Sequence, residues 1–310
     1  MKKIVLVATV KPFANEAVEG IKQIAQEAGY EFRLLEKYPD KKSLIEAVKD
    51  INALIVRSDK ITSEVIDAAK NLEIIVRAGA GYDNIDINYA KEKGIVVMNT
   101  PGQNANAVAE LALGMMVYIA RNLFNGKPGT ELKGKKLGLL AYGNVARNVA
   151  RIAKGFDMEI YAYDTFISKE NIEKTGVKAV NSVEELFQTC QYVSLHIPYT
   201  EQTHKSIGYK LLMSMPKNAV LVNTARAEVI DEEELLKVFE ERDDFKYVSD
   251  IKPVNENTLK ILEEKYIGRF YFTPKKMGAQ TKEANINAGL AAIRQIVAYF
   301  EKGDLTFKVN

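Results

Sequence analysis

Arg226, and the lysine pair Lys275-Lys276, are the side chains of this chain best suited to work on a carbonyl oxygen. Arg226 follows Thr224-Ala225 and an apolar run at 219–223. The lysines follow Thr273-Pro274 and a second apolar run at 270–272. Both therefore sit where a strand ends. A guanidinium grips a carboxylate at two points, and preorganised cations polarise and orient a carbonyl. The same spacing also suits a solvent-exposed lysine turn, and the residues alone do not choose.

Two other strand ends carry anion chemistry. Residues 77–86 read RAGAGYDNID, placing Arg77, Ala78 and Gly79 directly after an apolar run. Glycines keep backbone amides open to an anion, and an arginine matches carboxylate or phosphate. Arg57-Ser58-Asp59-Lys60 follows another run in the same part of the chain. Two such turns can converge on one anionic substrate. Each alone also fits turn glycines and solvated charges.

Residues 136–164 read as strand, tight turn, amphipathic helix, second strand and closing acid, the opening half of a dinucleotide fold. Of the usual three glycines only the middle one is kept, in Ala141-Tyr142-Gly143-Asn144-Val145-Ala146. Gly143 lets backbone approach a pyrophosphate. Tyr163 and Asp164 end the second strand, and 164 − 143 gives a spacing of 21 residues. An acid at that distance holds ribose hydroxyls and repels a 2′-phosphate, which favours NAD over NADP. His196, at the end of another apolar run, suits either the edge of this cofactor site or simple packing. No cluster of metal-ligand type is visible in the sequence.

Positioning these groups requires many parallel strands. The 310 residues suit two domains. Apolar content of 47% and charged content of 27% are ordinary for a globular chain, and a net charge of +2 argues against nucleic acid or a membrane as partner. Cys190, the only cysteine, excludes an intramolecular disulfide and reads as a buried apolar residue. The basic start followed by a short apolar run reads as a first strand, not a leader. No run approaches the ~20 residues of a membrane span, so a cytoplasmic setting is expected.

Apolar runs alternating with helical patterns predict strands at 3–9, 31–36, 53–57, 74–77 and 96–99, with helices at 14–28, 42–50 and 63–69. A long small-residue helix at 104–122 leads onward. Further strands are predicted at 136–140, 159–163, 192–197, 219–223, 247–250 and 270–272, and a last helix at 281–301. The fold class expected is α/β: two Rossmann-like, doubly wound parallel-sheet domains, 1–103 with 285–310 and 104–284, with a cleft between them.

Taken together, RAGAGYDNID at 77–86, NTPGQNANAVAELALGMM at 99–116, the 136–164 unit, VSLHIPYTEQTH at 193–204 and LVNTARAEVIDEEEL at 221–235 resemble the D-2-hydroxyacid dehydrogenase family. The resemblance runs through the chain in order. It implies NAD as cofactor and a small anionic 2-hydroxy acid as substrate. The branch it most resembles oxidises 3-phospho-D-glycerate, for serine synthesis, and includes lysine-bearing members. The chain stops at Asn310, so a short form without a C-terminal regulatory domain is expected, and so is a homodimer.

Residue by residue, the resemblance implies a flavodoxin-like first domain that contacts substrate through Arg57, Ser58, Lys60, Arg77, Ala78, Gly79 and Asn104. It implies cofactor contacts at Tyr142, Gly143, Asn144, Val145, Tyr163, Asp164, His196, Ile197, Pro198, Thr203, Thr224, Ala225 and Asp250. Arg226 matches the catalytic arginine. The family's Thr-Pro-His becomes Thr273-Pro274-Lys275, implying Lys275 as general acid/base. Asn255 stands where the family has a catalytic glutamate. The two changes are coherent: a carboxylate raises a histidine usefully, but would push a lysine, which starts near about 10.4, the wrong way. Neighbouring cations lower it. A hydroxypyruvate or glyoxylate reductase, and a non-catalytic NADH-sensing protein, stay open as alternatives.

Overall fold

Runs rich in valine, isoleucine and leucine become central strands buried on both faces, as parallel sheets require, and less apolar runs become half-exposed edge strands. In the computed structural model, which describes residues 2–310, these are β1 (Ile4–Thr9), β2 (Glu31–Glu36), β3 (Ala53–Val56), β4 (Ile74–Arg77), β5 (Val96–Asn99), β6 (Lys136–Leu140), β7 (Glu159–Tyr163), β8 (Lys178–Ala179), β9 (Tyr192–Leu195), β10 (Val220–Asn223), β11 (Lys246–Ser249) and β12 (Phe270–Phe272). The helices are α1 (Asn15–Glu27), α2 (Lys41–Ala47), α3 (Ser63–Ala68), α4 (Ile87–Glu92), α5 (Ala105–Ala120), α6 (Asn144–Lys154), α7 (Lys169–Glu173), α8 (Val183–Thr189), α9 (Tyr209–Ser214), α10 (Glu232–Glu241), α11 (Glu256–Lys265) and α12 (Lys282–Lys302). The chain divides into two units. One runs up to Asn104 and resumes over Ala279–Asn310; the other is Ala105–Gly278.

The first unit holds a five-stranded sheet in the order β2-β1-β3-β4-β5, paired in parallel throughout. Its order reverses between β1 and β3, and that is where an open α/β sheet leaves a ligand crevice at its carboxyl edge. One face packs on α1 and α12 through Val5, Val7, Ile55, Ile21, Ala292 and Ile296. Small residues allow this closeness: a Cβ on Gly20 would come 2.6 Å from Leu290 Cδ2. The other face packs on α2 to α4 through Leu6, Leu54, Leu44, Val65 and Ala90.

The second unit holds seven parallel strands in the order β12-β11-β10-β9-β6-β7-β8. Counted from β6, this is the dinucleotide-fold order extended by one strand, with its reversal between β6 and β9. Alanines of α5 and α6 pack on one face. Helices α8 to α10 cover the other, with Cys190 buried among them and its thiol pushed up to about 12 by that burial.

The observed fold has the two parallel sheets expected, and the differences are local. Strand β9 stops at Leu195, short of the expected 197, because Pro198 has no amide to donate. Helix α2 ends at Ala47, three residues early. The two-residue edge strand β8 has no apolar periodicity to announce it. Among the described residues, no helix is long and apolar enough to cross a membrane.

Candidate active site

The nucleotide turn follows β6. Ala141 adopts a left-handed conformation, φ +68°, where the usual fingerprint has a glycine. Its N–H donates to the Tyr163 carbonyl at 2.9 Å, locking the turn to the end of β7. Gly143 stands just before α6, with no atom within 4 Å of where a Cβ would be. No side chain accepts from the first-turn amides of α6, which Asn144 and Val145 open. An uncapped N-terminus with space before it suits a phosphate.

Asp164 is pinned by three backbone amides. One oxygen accepts from Tyr142 at 2.7 Å; the other accepts from Phe166 at 2.7 Å and Ile167 at 2.9 Å. Its carboxylate is thus held in one orientation by the backbone. Tyr142 contributes backbone only: its ring is buried and its hydroxyl pairs with Thr175 Oγ1 at 2.7 Å.

Across the switch point, the His196 N–H donates to the Leu140 carbonyl at 2.9 Å. The imidazole Nε2 is shut off from solvent and has no hydrogen-bond partner among the described residues, and burial holds the ring down to about 3, so it is neutral. Ile197 packs on the core, and Pro198 begins a loop closed by Thr203, whose Oγ1 donates to the Pro198 carbonyl at 2.7 Å.

A consequence follows for stability. The unfolded chain takes up a proton at His196 near pH 6.5, and the folded one only near 3. Stability is therefore full above pH 6.5 and falls as the pH drops below it, by at most ~1.4 kcal/mol per pH unit. We expect His196→Gln to flatten the urea-unfolding stability between pH 7 and pH 5 by about 1 to 2 kcal/mol relative to wild type. Parallel curves would remove the assignment.

The carbonyl-directed groups lie after β10, β11 and β12. Thr224 is buried with Oγ1 unpartnered, and Ala225 N–H donates to Asn223 Oδ1 at 2.9 Å. Arg226 Nη1 donates to the Ala225 carbonyl at 2.9 Å, and Lys276 Nζ reaches the same oxygen at 3.2 Å. Asp250 is 1% exposed. Its Oδ2 accepts from Gly278 N–H at 2.8 Å, while Oδ1 has no partner among the described residues. Burial pushes its carboxyl up, opposed by those amide bonds and by the charges of Lys276 and Arg226. Among the described residues this unit buries Asp250 Oδ1, Thr224 Oγ1, His196 Nε2 and also Ser194 Oγ without a hydrogen-bond partner, and such groups can take a polar ligand. They fit a dinucleotide.

Lys275 is exposed, and among the described residues its ammonium makes no hydrogen bond or salt bridge. Asn255 serves as the N-cap of α11, accepting from Asn257 N–H at 2.9 Å. Glu232 grips this loop from below, with its two oxygens on the amides of Val254 (2.6 Å) and Asn255 (3.1 Å). Sequence reasoning missed Glu232, hidden in a run of three acids at the start of α10.

The first unit brings Arg57 and Arg77 together. Arg57 Nη1 donates to the carbonyls of Lys11 (3.0 Å) and Pro12 (2.8 Å), Nη2 donates to Asn285, and the guanidinium stacks on Phe13. It bridges the loops on either side of the β1/β3 switch point. Burial pulls it below its ordinary value, with Asp59 and Glu36 opposing. Arg77 Nε donates to the Arg57 carbonyl at 3.0 Å. A Cβ on Gly79 would lie 1.2 Å from Arg77 Nη1, so only glycine lets the guanidinium lie there. Ala78 N–H continues the ladder to Val56. Ser58 and Lys60 are exposed beside Arg57, and Asn104 closes this unit half-buried before α5. The organiser that sequence reading passed over is Asp59, buried, accepting from Val10 N–H and the Tyr38 hydroxyl at 2.7 Å each.

A turn with an uncapped helix N-terminus in one unit and clustered arginines in the other suit a nucleotide and an oxyanion, as in the dinucleotide-binding oxidoreductases of small acids. A family model described as D-isomer specific 2-hydroxyacid dehydrogenase, NAD binding domain, matches residues 118–263. The D-3-phosphoglycerate dehydrogenase of Methanocaldococcus jannaschii is 38% identical over 273 residues, 83% of this chain and 51% of that protein. The chain thus spans about half the length of that relative. The hydroxypyruvate reductase of Thermotoga maritima is 37% identical over 286 residues, covering 86% of this chain and 90% of that protein. A crystal structure of NAD+-bound 3-phosphoglycerate dehydrogenase from Entamoeba histolytica is 47% identical with a TM-score of 0.88, covering 100% of this chain and 99% of that one. The chain belongs to the D-isomer specific 2-hydroxyacid dehydrogenase family, and NAD is the nucleotide its second unit takes.

Proposed function

We propose that the chain oxidises 3-phospho-D-glycerate to 3-phosphohydroxypyruvate. The observation that carries this reading is the arginine-lysine pair on the Ala225 carbonyl, in the unit that carries the nucleotide turn. Bound NAD supplies the hydride acceptor. Asp250 Oδ1, Thr224 Oγ1 and His196 Nε2 are the chain's polar groups for orienting it. Arg226 holds the substrate carboxylate and the developing carbonyl. The proton of the C2 hydroxyl passes to an amine of the Lys275-Lys276 pair, with Lys275 the one implied by the family resemblance.

Arg57, Lys60 and Arg77 are the cations proposed for the phosphate, at the carboxyl edge of the first sheet. The replacement of the family's glutamate by a capping asparagine fits a lysine base, which gains nothing from a partner carboxylate. A homodimer acting in the cytoplasm, on the way to serine, is part of the same reading.

A second reading, reduction of hydroxypyruvate or glyoxylate, draws support from the likeness to the Thermotoga maritima enzyme. NADH absorbance with phosphorylated and unphosphorylated substrates separates the two. We expect kcat/KM for 3-phosphoglycerate to exceed that for D-glycerate at least tenfold. Equal values, or a preference for the unphosphorylated acids, would favour the reductase. NADH binding without turnover on any of them would leave a sensing role.

A further inference from the structure

We infer that Lys276, rather than its neighbour Lys275, is the catalytic lysine that exchanges the proton of the substrate hydroxyl. The inference rests on the dehydrogenase reading above. It starts from the turn after β12, where consecutive lysines are placed differently. Thr273 Oγ1 donates to the Lys275 carbonyl at 2.8 Å, folding residues 273–275 back on themselves. Both lysines are exposed, and what separates them is the partner of the ammonium. One residue on, Lys276 Nζ comes 3.2 Å from the Ala225 carbonyl, the same oxygen that receives Arg226 Nη1 at 2.9 Å.

The register of this turn is fixed from its far side. Gly278 N–H bonds Asp250 Oδ2 at 2.8 Å, and Met277 also donates to that carboxylate through its backbone. A Cβ on Gly278 would lie 2.8 Å from Oδ2 and 3.3 Å from Val108 Cγ2, so the segment has no slack to slide by one residue. Asp250, Gly278 and the Ala225 carbonyl together hold Lys276, not Lys275, beside Arg226.

Geometry decides a general base before acidity does. The group that takes the C2 hydroxyl proton must reach the oxygen that Arg226 orients. Lys276 already shares an acceptor with Arg226, and a substrate oxygen can replace that backbone carbonyl. The step balances. The C2–H bond breaks with its electron pair leaving for the nicotinamide, and the O–H bond breaks as C2=O forms. The proton ends on the Lys276 amine, which becomes an ammonium and returns it to water. In the reductive direction the ammonium donates.

The test compares Lys275→Ala and Lys276→Ala in the full chain with NAD and whichever 2-hydroxy acid the wild type turns over best. Lys276→Ala should lower kcat by ~10²- to 10⁴-fold with NAD affinity by calorimetry held within about threefold, and added methylamine should restore part of the rate. Lys275→Ala should lose at most about tenfold and not respond to methylamine. The reverse ranking, or rescue of Lys275→Ala alone, overturns the inference.

Labelling with pyridoxal 5′-phosphate, fixed by borohydride and mapped by peptide, gives a readout without turnover. NAD with substrate should shield Lys276 and leave Lys275 labelled; an unshielded Lys276 overturns the assignment. If the wild type oxidises and reduces no 2-hydroxy acid, the dehydrogenase reading falls, and the shielding map still decides whether Lys276 lines the ligand site.

Discussion

Arg226→Ala is expected to lower kcat/KM for the 2-hydroxy acid by about 10³-fold, while NAD binds within about threefold of wild type. A thousandfold is ~4 kcal/mol of transition-state stabilisation, the range for losing a preorganised charged donor at a developing oxyanion. The loop itself should survive. The Arg226 carbonyl accepts from Asn223 Nδ2 at 2.9 Å, and Asn223 is buried against the Tyr247 hydroxyl, which burial pushes up to about 12. The side chain contributes only its bond to the Ala225 carbonyl, so truncation leaves no buried partner unpaired beyond that oxygen, which Lys276 still reaches. Arg226→Lys keeps the charge and loses the two-point grip, and should recover no more than about tenfold of the loss. Stopped-flow and steady-state NADH formation measure the rates, and calorimetry the NAD affinity. A loss below tenfold in Arg226→Ala would remove the arginine from the reaction.

The sheets were legible because parallel strands must be apolar on both faces, and runs such as Ala53–Val56 and Ile74–Arg77 have few other places to go. The turn after β6 and the acid that braces it were legible through Gly143 and Asp164, with their spacing. That Ala141 takes up the left-handed turn was not, because the rule reads glycine where φ is positive, and here an alanine accepts the strain. The anchors were harder still. Glu232 looks like any acid at a helix start, and only the fold brings it to the Val254 and Asn255 amides. Asn255 stands at the family's glutamate position in the sequence, and only the fold shows that it also caps α11. Which of two adjacent lysines faces Arg226 depends on a turn register that Asp250 sets from 26 residues away in sequence (276 − 250).

Gly79→Ala is the second large effect, and it tests the anion site proposed for the first unit. At φ +151° the backbone is one that side chains rarely adopt, and an added Cβ would lie 1.2 Å from Arg77 Nη1. No small shift relieves that contact. Either the Arg77 guanidinium leaves, giving up its 3.0 Å bond to the Arg57 carbonyl, or the backbone between Ala78 and Thr100 moves, giving up the bond from Thr100 N–H to the Gly79 carbonyl. Strain of this kind is worth ~1 to 3 kcal/mol, or roughly 2 to 8 °C in Tm for a chain of this size. Displacing a charged donor from an anion is worth ~1.5 to 3 kcal/mol, which is about 10- to 150-fold in affinity. On the proposed function, the variant should therefore bind its 2-hydroxy acid at least tenfold more weakly, and NAD as before. Arg77→Ala separates the two causes: it should match the loss in affinity and spare most of the loss in Tm. If Gly79→Ala keeps wild-type KM, Arg77 is not a substrate group, and the first unit's anion site must be built on Arg57 and Lys60 alone.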